Sequence, residues 1–410
     1  MQFIQRYAIW FVAAGLAIGW NVQSWHSPFF WDTILTSGVS QYYLAHGFRD
    51  LILPANLDAG HPPLFYIYIT GCFKLLGKSL LVAHVSMLPF LLTGIFSFIR
   101  LLQKMEFPVK AQWIGLLLFW AIPAVATQYS LVSYDAVLLS LYLLSLVLFL
   151  EHKKIAFSIV LLLIGGITGR GIFAIASIFI SCIVLHRSKI RSWIIAFVPA
   201  VLFYLGWYLY HYKRTGYVFS PDNGWSGQRG LADVMQLFRN GISIIRVLLD
   251  MGIVFLLGYN VFAFLKIRKL PFRYLIGLIP FVIFSFSFLF LTNPINHRYY
   301  LVVYVLMLLP VLKLLAETKW IFSFILMILL IAGHFQIYPG KISNAWDSTL
   351  AHLPYHGLRK EFIAYADNAG IDRSRIGTVF PMNTSLMQTN LSGDTARMIN
   401  VNGLKIYRSK

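Results

Sequence analysis

The chain has 410 residues, of which 58% are hydrophobic and only 12% charged, and its mean hydropathy is +0.70. A soluble domain is roughly 45–50% apolar and about 25% charged, so a water-soluble fold is excluded: the charges are too few to cover it, whereas a lipid-facing surface needs none. The net charge of +19 does not mark a nucleic-acid binder, because Lys and Arg fall in short clusters between apolar runs, the pattern that sets membrane orientation.

A membrane-spanning helix needs about 20 mostly apolar residues. Eleven runs qualify, near 7–24, 80–102, 111–128, 135–150, 155–169, 171–185, 192–210, 241–264, 272–292, 299–315 and 319–337. The expected fold class is therefore an all-α integral membrane protein with about 11 transmembrane helices. The first run lacks a small-x-small cleavage exit and reads as an anchor. Cys72 and Cys182 both lie in apolar stretches, so no disulfide framework is readable.

The loops set the orientation. Arg100, Lys104 and Lys110, then Lys153 and Lys154, then Arg187, Lys189 and Arg191, then Lys266, Arg268, Lys269 and Arg273, then Lys313 and Lys319 occupy every second loop. The positive-inside rule places these in the cytoplasm, with the N-terminus inside and the C-terminus outside. Residues 62–77 are apolar enough to tempt a spanning assignment, but counting them would put every later basic cluster outside. They read instead as an interfacial or re-entrant helix behind Pro62 and Pro63. A polytopic region over 1–337 results, with a first outer loop at 25–79, a second at 211–240, and an outer tail at 338–410. The tail carries ordinary charge and reads as the start of a small α/β-like domain, with helical spacing over 357–370 and a short strand at 375–380.

Only fifteen residues are acidic, so their placement is informative. Asp32 follows the first span in Phe29-Phe30-Trp31-Asp32, and Asp135 opens the fourth in Ser133-Tyr134-Asp135. A carboxylate near lipid costs several kcal/mol and generally has a partner or a task. Asp50 reads as a solvated loop acid. In Asp58-Ala59-Gly60-His61-Pro62-Pro63, Asp58 and His61 could ligate a divalent cation (Mg, Mn or Zn) or a phosphate, although a lone His is more often a helix-entry residue. Arg170 in Thr168-Gly169-Arg170-Gly171, and His297 with Arg298 ahead of the tenth span, lie on the face where positive charge is disfavoured. Such an Arg either snorkels to the interface or donates to a phosphate. The 211–240 loop adds Lys213, Arg214, Trp225 and Arg229 among glycines, which suits either a sugar- or phosphate-binding loop or a plain mobile one.

In order along the chain stand an Asp after the first span, Asp58-x-x-His61-Pro-Pro-Leu-x-Tyr, Phe73-x-x-Leu-Gly-Lys-Ser79, Asp135, Thr168-Gly-Arg170-Gly and Arg298-Tyr299. Over residues 1–315 this resembles the GT-C superfamily of membrane glycosyltransferases, in particular the protein O-mannosyltransferase-like and lipid A aminoarabinose transferase-like families (family 39 and its bacterial kin). His61 stands where many relatives carry Lys. The resemblance implies a sugar donor linked to a polyprenyl phosphate, a lipid, glycan or protein acceptor, and inverting transfer to a hydroxyl at the outer face of a bacterial inner (plasma) membrane. Asp32 would be the general base, with Asp135 beside it. Arg170, Arg298, His297 and His61 would neutralise the leaving phosphate. Two other classes stay open. A lipid-linked sugar flippase or transporter would place its charges nearer the bilayer midplane and show repeats. A polysaccharide polymerase or ligase would rely on Arg and His in a large late outer loop.

Overall fold

A computed structural model describes residues 2–186, 191–218, 230–267, 272–292, 295–335 and 346–401. Arg187, Lys189, Arg268, Lys269, Trp225 and Arg229 lie outside the described residues. The chain is almost entirely helical. Helix α1 (Gln2–Ser24) is followed by a pair folded on each other, α2 (Thr33–His46) and α3 (Leu64–Leu76). Helix α3 has 13 residues, fewer than the roughly 20 of a straight span. Then come α4 (Leu80–Val85), α5 (Leu88–Lys104), α6 (Val109–Ala121), α7 (Pro123–Ser130), α8 (Tyr134–Leu150), α9 (Lys154–Ile167), α10 (Gly171–His186) and α11 (Ile194–Thr215). The late helices are α12 (Val234–Leu249), α13 (Ile253–Lys266), α14 (Leu278–Leu289), α15 (Leu301–Leu306), α16 (Leu308–Glu317) and α17 (Trp320–Ala332). The tail holds α18 (Leu353–Asn368), α19 (Leu386–Asn390) and two parallel two-residue strands, β1 (Gly377–Thr378) and β2 (Ile399–Asn400).

Among the described residues, three continuous helices are long and apolar enough to cross a bilayer: Leu80–Lys104, Arg191–Thr215 and His297–Glu317. Two further runs are broken. Helices α6 and α7 turn by 67° where Pro123 begins α7, and α12 and α13 turn by 83°. The run 241–264 is therefore not one straight span. Asp250 caps α12, and Met251 and Gly252 take positive φ (51° and 76°), a conformation that turns the chain sharply and that Gly adopts without strain. Upstream of that turn, α12 presents Val234, Met235, Phe238, Ile242, Ile245 and Leu249 outward at helical spacing, an unpaired apolar stripe of the kind that rests in a lipid interface.

Helix α8 is buried along nearly its whole length, between α5 on one side and α9 on the other. The helix ends sort into two groups. At one end, Glu151 gathers Arg100 (2.7 Å) and Lys153 (2.9 Å), and Lys110 Nζ donates to the Thr318 carbonyl at 2.8 Å. The basic turns α5–α6, α8–α9 and α16–α17 thus lie together. The acids that open α2 and α8, and the turn between α9 and α10, lie at the other end.

The tail docks on that second end rather than standing apart. Phe30 stacks on His352 with ring centroids 5.0 Å apart and meets His356 edge-on at 5.6 Å. Phe29 N–H donates to the Thr389 carbonyl at 2.8 Å, and Gln41 Nε2 to that of Met387 at 3.0 Å. Inside the tail, Arg359 braces α19 by donating to Thr389 Oγ1 at 2.7 Å and to the Thr384 carbonyl at 2.6 Å.

Candidate active site

Local sequence sets up each charged side chain. Asp32 occupies the N-cap position of α2 but has helical φ/ψ and makes no capping hydrogen bond. Thr33 Oγ1 takes the Phe30 N–H instead, at 2.9 Å. The Asp32 carboxylate is thereby left to reach inward. Trp31 before it holds φ at +53°, a strained conformation for a bulky residue that marks functional turns. Asp135 lies in the first turn of α8, where the helix dipole favours a carboxylate, and Ser133 Oγ fixes the turn by accepting from its N–H at 3.1 Å. Arg170 sits in the break between α9 and α10. Gly171 there lies so close to the Ile164 carbonyl that a Cβ has no room. Arg298 belongs to a 3-10 turn, His297–Tyr300, capped by Asn296.

These groups converge on Arg298. Its Nη2 pairs with Asp32, its Nη1 lies 2.5 Å from Asp347 Oδ2, and its Nε lies 3.6 Å from Asp135 Oδ2. Asp135 Oδ1 lies 2.6 Å from Arg170 Nη2. The Arg170 guanidinium covers the Tyr299 ring at 3.8 Å and faces Tyr134 at 5.6 Å, cation–π contacts that keep it charged and oriented. Its Nη1 is buried and has no hydrogen-bond partner among the described residues. Arg170, Arg298, Asp135 and Asp347 are all buried, whereas the Asp32 side chain remains 36% exposed.

Asp347, in the tail, is the member that sequence reasoning missed. Asn296 Nδ2 donates to it at 3.3 Å, Ser348 Oγ donates to Asn296 Oδ1 at 3.1 Å, and Gln128 Nε2 donates to the Asp347 carbonyl at 2.6 Å. Burial lifts its carboxyl to about 6, against the downward pull of Arg298.

A cavity of about 1020 Å³ opens beside the cluster. Asp32, His61, Arg170 and Arg298 line it. One side is apolar, with Ile172, Phe173, Phe288 and Leu291, and the opposite side is formed by the tail.

Two expected positions face elsewhere. His297 does not line the cavity, and its Nε2 lies 3.5 Å from Asp250 Oδ2 at the α12–α13 turn. Asp58 and His61 do not act as a joint ligand pair. Asp58 Oδ2 accepts from His211 Nε2 at 2.8 Å and from Tyr217 OH at 3.0 Å, while its Oδ1 accepts from Gly60 N–H at 2.8 Å. His61 Nδ1 accepts from Gly169 N–H at 3.3 Å, beside the Arg170 turn. With the Asp58 carboxylate committed to three donors, the pair does not fit a metal. Among the described residues no group of three or more His, Cys, Asp or Glu is arranged to hold one.

No family model and no curated protein matches the sequence. Among solved structures, the fold is similar to that of ArnT from Cupriavidus metallidurans bound to undecaprenyl phosphate, with a TM-score of 0.54 and 15% identity over 82% of this chain and 67% of that one. The apo state of the same protein gives a TM-score of 0.56 and 14% identity over 82% of this chain and 66% of that one. The chain thus spans about two thirds of their length, and the likeness is one of fold.

Two predictions follow from this geometry. Asp58→Ala, which strands His211 and Tyr217 in a buried site, costs about 1–3 kcal/mol and lowers the melting temperature in detergent with or without EDTA. A drop seen instead in the wild type on adding EDTA would identify Asp58 and His61 as metal ligands after all. The docked tail is also pH-sensitive. Burial holds the His352 imidazole below its ordinary value, and holds His356, which also faces His352, Arg359 and His84, down to about 3. An undocked tail therefore takes up protons at His352 and His356 as pH falls through about 6.5, which burial resists in the docked tail, while docked Asp347 takes one up near 6. The difference favours undocking as pH drops from 7 to 5. Amide exchange over 353–368 should rise across that window, and an unchanged rate would contradict it.

Proposed function

We propose that the chain is a glycosyltransferase that moves a sugar from a polyprenyl-phosphate donor to an acceptor hydroxyl, with inversion and with Asp32 as general base. The observation that carries this is the buried, unpartnered Arg170 Nη1 at the border between the apolar side of the cavity and the Arg298 cluster. It is a cation held ready where an isoprenoid tail and a phosphate would meet. The GT-C fold and the undecaprenyl phosphate bound by the similar ArnT structure support the same donor class.

In the reaction, the acceptor O–H gives its proton to the Asp32 carboxylate as the oxygen bonds to the anomeric carbon. The bond from that carbon to the phosphate oxygen breaks, and the lipid phosphate leaves with the electron pair and one more negative charge. Arg170 and Arg298 face that growing charge in a site largely closed to water, where fixed cations stabilise it most. A carboxylate is sufficient for an acceptor proton that transfers late, behind an oxocarbenium-like centre. Asp135 orients both guanidiniums. By the positive-inside rule the site faces outward from a bacterial inner membrane, with the N-terminus in the cytoplasm.

The test follows release of free polyprenyl phosphate by mass spectrometry from purified protein in nanodiscs, given a panel of polyprenyl-phosphate sugars and a membrane lipid extract. Asp32→Asn should lower release by about 10²–10⁴-fold while remaining folded. Arg170→Gln should lower it by about 10²–10³-fold. Equal release by wild type and Asp32→Asn would remove Asp32 from the chemistry. No release from any donor would favour a protein that moves lipids without transferring sugar.

A further inference from the structure

The side of the cavity opposite the apolar one has a composition the transfer reaction alone does not require. Trp31, next to the base, lines the cavity and sets its ring edge-on to Phe380 of the tail, with centroids 5.2 Å apart. Around this aromatic pair the tail places amides. Asn383 lines the cavity with an Oδ1 that is buried and has no hydrogen-bond partner among the described residues. Gln388 also lines the cavity, and its Oε1 accepts at 3.1 Å from Nη2 of Arg397, a further lining residue. Asp32 is the one carboxylate lining the cavity among the described residues, and Arg298 already holds it.

The three features have one chemical match. An aromatic face fits the apolar C–H side of a sugar ring. Amides supply both donors and acceptors, as hydroxyls require. Among the described residues the lining offers no free carboxylate of the kind a positively charged amino sugar would need as its partner, and Arg397 adds a positive charge to it. Trp31 is also held at positive φ, a strain that persists only where the surroundings enforce it and that here turns the indole toward the tail.

We infer that Trp31, Phe380, Asn383 and Gln388 form a saccharide subsite that takes an uncharged pyranose and discriminates against cationic amino sugars. The inference rests on the glycosyl-transfer reading, and it deepens it by naming the sugar class. The ring belongs either to the donor or to a glycan acceptor, and the two sources share this chemistry.

The experiment is ligand-observed saturation-transfer NMR on the full chain in nanodiscs. The probes are methyl glucoside, methyl galactoside and methyl mannoside, against methyl glucosaminide as the cationic control. At least one neutral glycoside should bind in the millimolar range, and the glucosaminide should bind at least several-fold more weakly. Asn383→Ala and Gln388→Ala should each weaken the neutral glycoside by about 3- to 10-fold, one hydrogen bond apiece. Trp31→Phe should retain binding that Trp31→Ala loses. Gln388→Glu, which leaves the fold's packing almost unchanged, should shift preference toward the glucosaminide. Competition by a short-chain polyprenyl-phosphate hexose would assign the subsite to the donor sugar, and its absence to the acceptor. Equal binding of neutral and cationic glycosides, binding indifferent to Asn383→Ala, Gln388→Ala, Trp31→Ala and Gln388→Glu alike, or no glycoside binding at all would overturn the inference. Binding of undecaprenyl phosphate, measured in parallel and weakened by Arg170→Gln, keeps that failure separate from failure of the transfer reading.

Discussion

The structure of the site depends on one guanidinium. Arg298 is buried, and burying a cation without partners costs several kcal/mol. Its three nitrogen positions are matched by three carboxylates from distant parts of the chain: Asp32 from the start of α2, Asp135 from the first turn of α8 and Asp347 from the tail. A planar fork with a fixed charge can bridge three acceptors in this way, and an ammonium cannot. The tail is thereby locked to the helical bundle by charge as well as by the Phe30 stack on His352. The cavity acquires its second wall because Asp347 must reach Arg298.

Much of this was legible in the sequence, for physical reasons that also explain the misses. Lipid allows so few charges that each one is informative. Asp32, Asp135, Arg170 and Arg298 stand out against apolar runs, and the structure brings all four together. Among the described residues the basic turns α5–α6, α8–α9 and α16–α17 gather at one end, as Glu151 with Arg100 and Lys153, and Lys110 with Thr318, show. The tail gave no such contrast. Its charges are ordinary in density, so Asp347 looked like any solvated acid until packing buried it. The same holds for Asn383 and Gln388, whose significance lies in facing Trp31 across hundreds of residues.

Hydropathy also conceals bends. The run 241–264 is apolar enough to span, yet it contains Asp250, a carboxylate that lies near His297 at the turn between α12 and α13. A charged residue within an apolar run followed by Gly252 was the available sign of a break. Asp58 illustrates the converse error. Its spacing from His61 suits metal ligation, but the partner that matters, His211, is 153 positions away. Together Asp58, His211 and Tyr217 tie the loop that carries His61 to the end of α11. That loop then sets His61 against Gly169 and so supports the turn holding Arg170.

The charge balance around Arg298 has a consequence for the proposed reaction. Three carboxylates and two guanidiniums leave the ionised cluster with one net negative charge, an unfavourable partner for an incoming phosphate. Two features offset this. Arg170 Nη1 has no acceptor of its own among the described residues, and burial lifts the Asp347 carboxyl to about 6. Once a phosphate accepts from Arg170 and Arg298, the hold of Arg298 on Asp32 weakens, because one guanidinium nitrogen cannot serve both anions at full strength. Asp32, the partly exposed carboxylate of the three, is the one that can turn away toward an acceptor hydroxyl. In the proposed reaction the donor phosphate would thereby loosen the resting ion pair of Asp32, which holds the carboxylate while no donor is present.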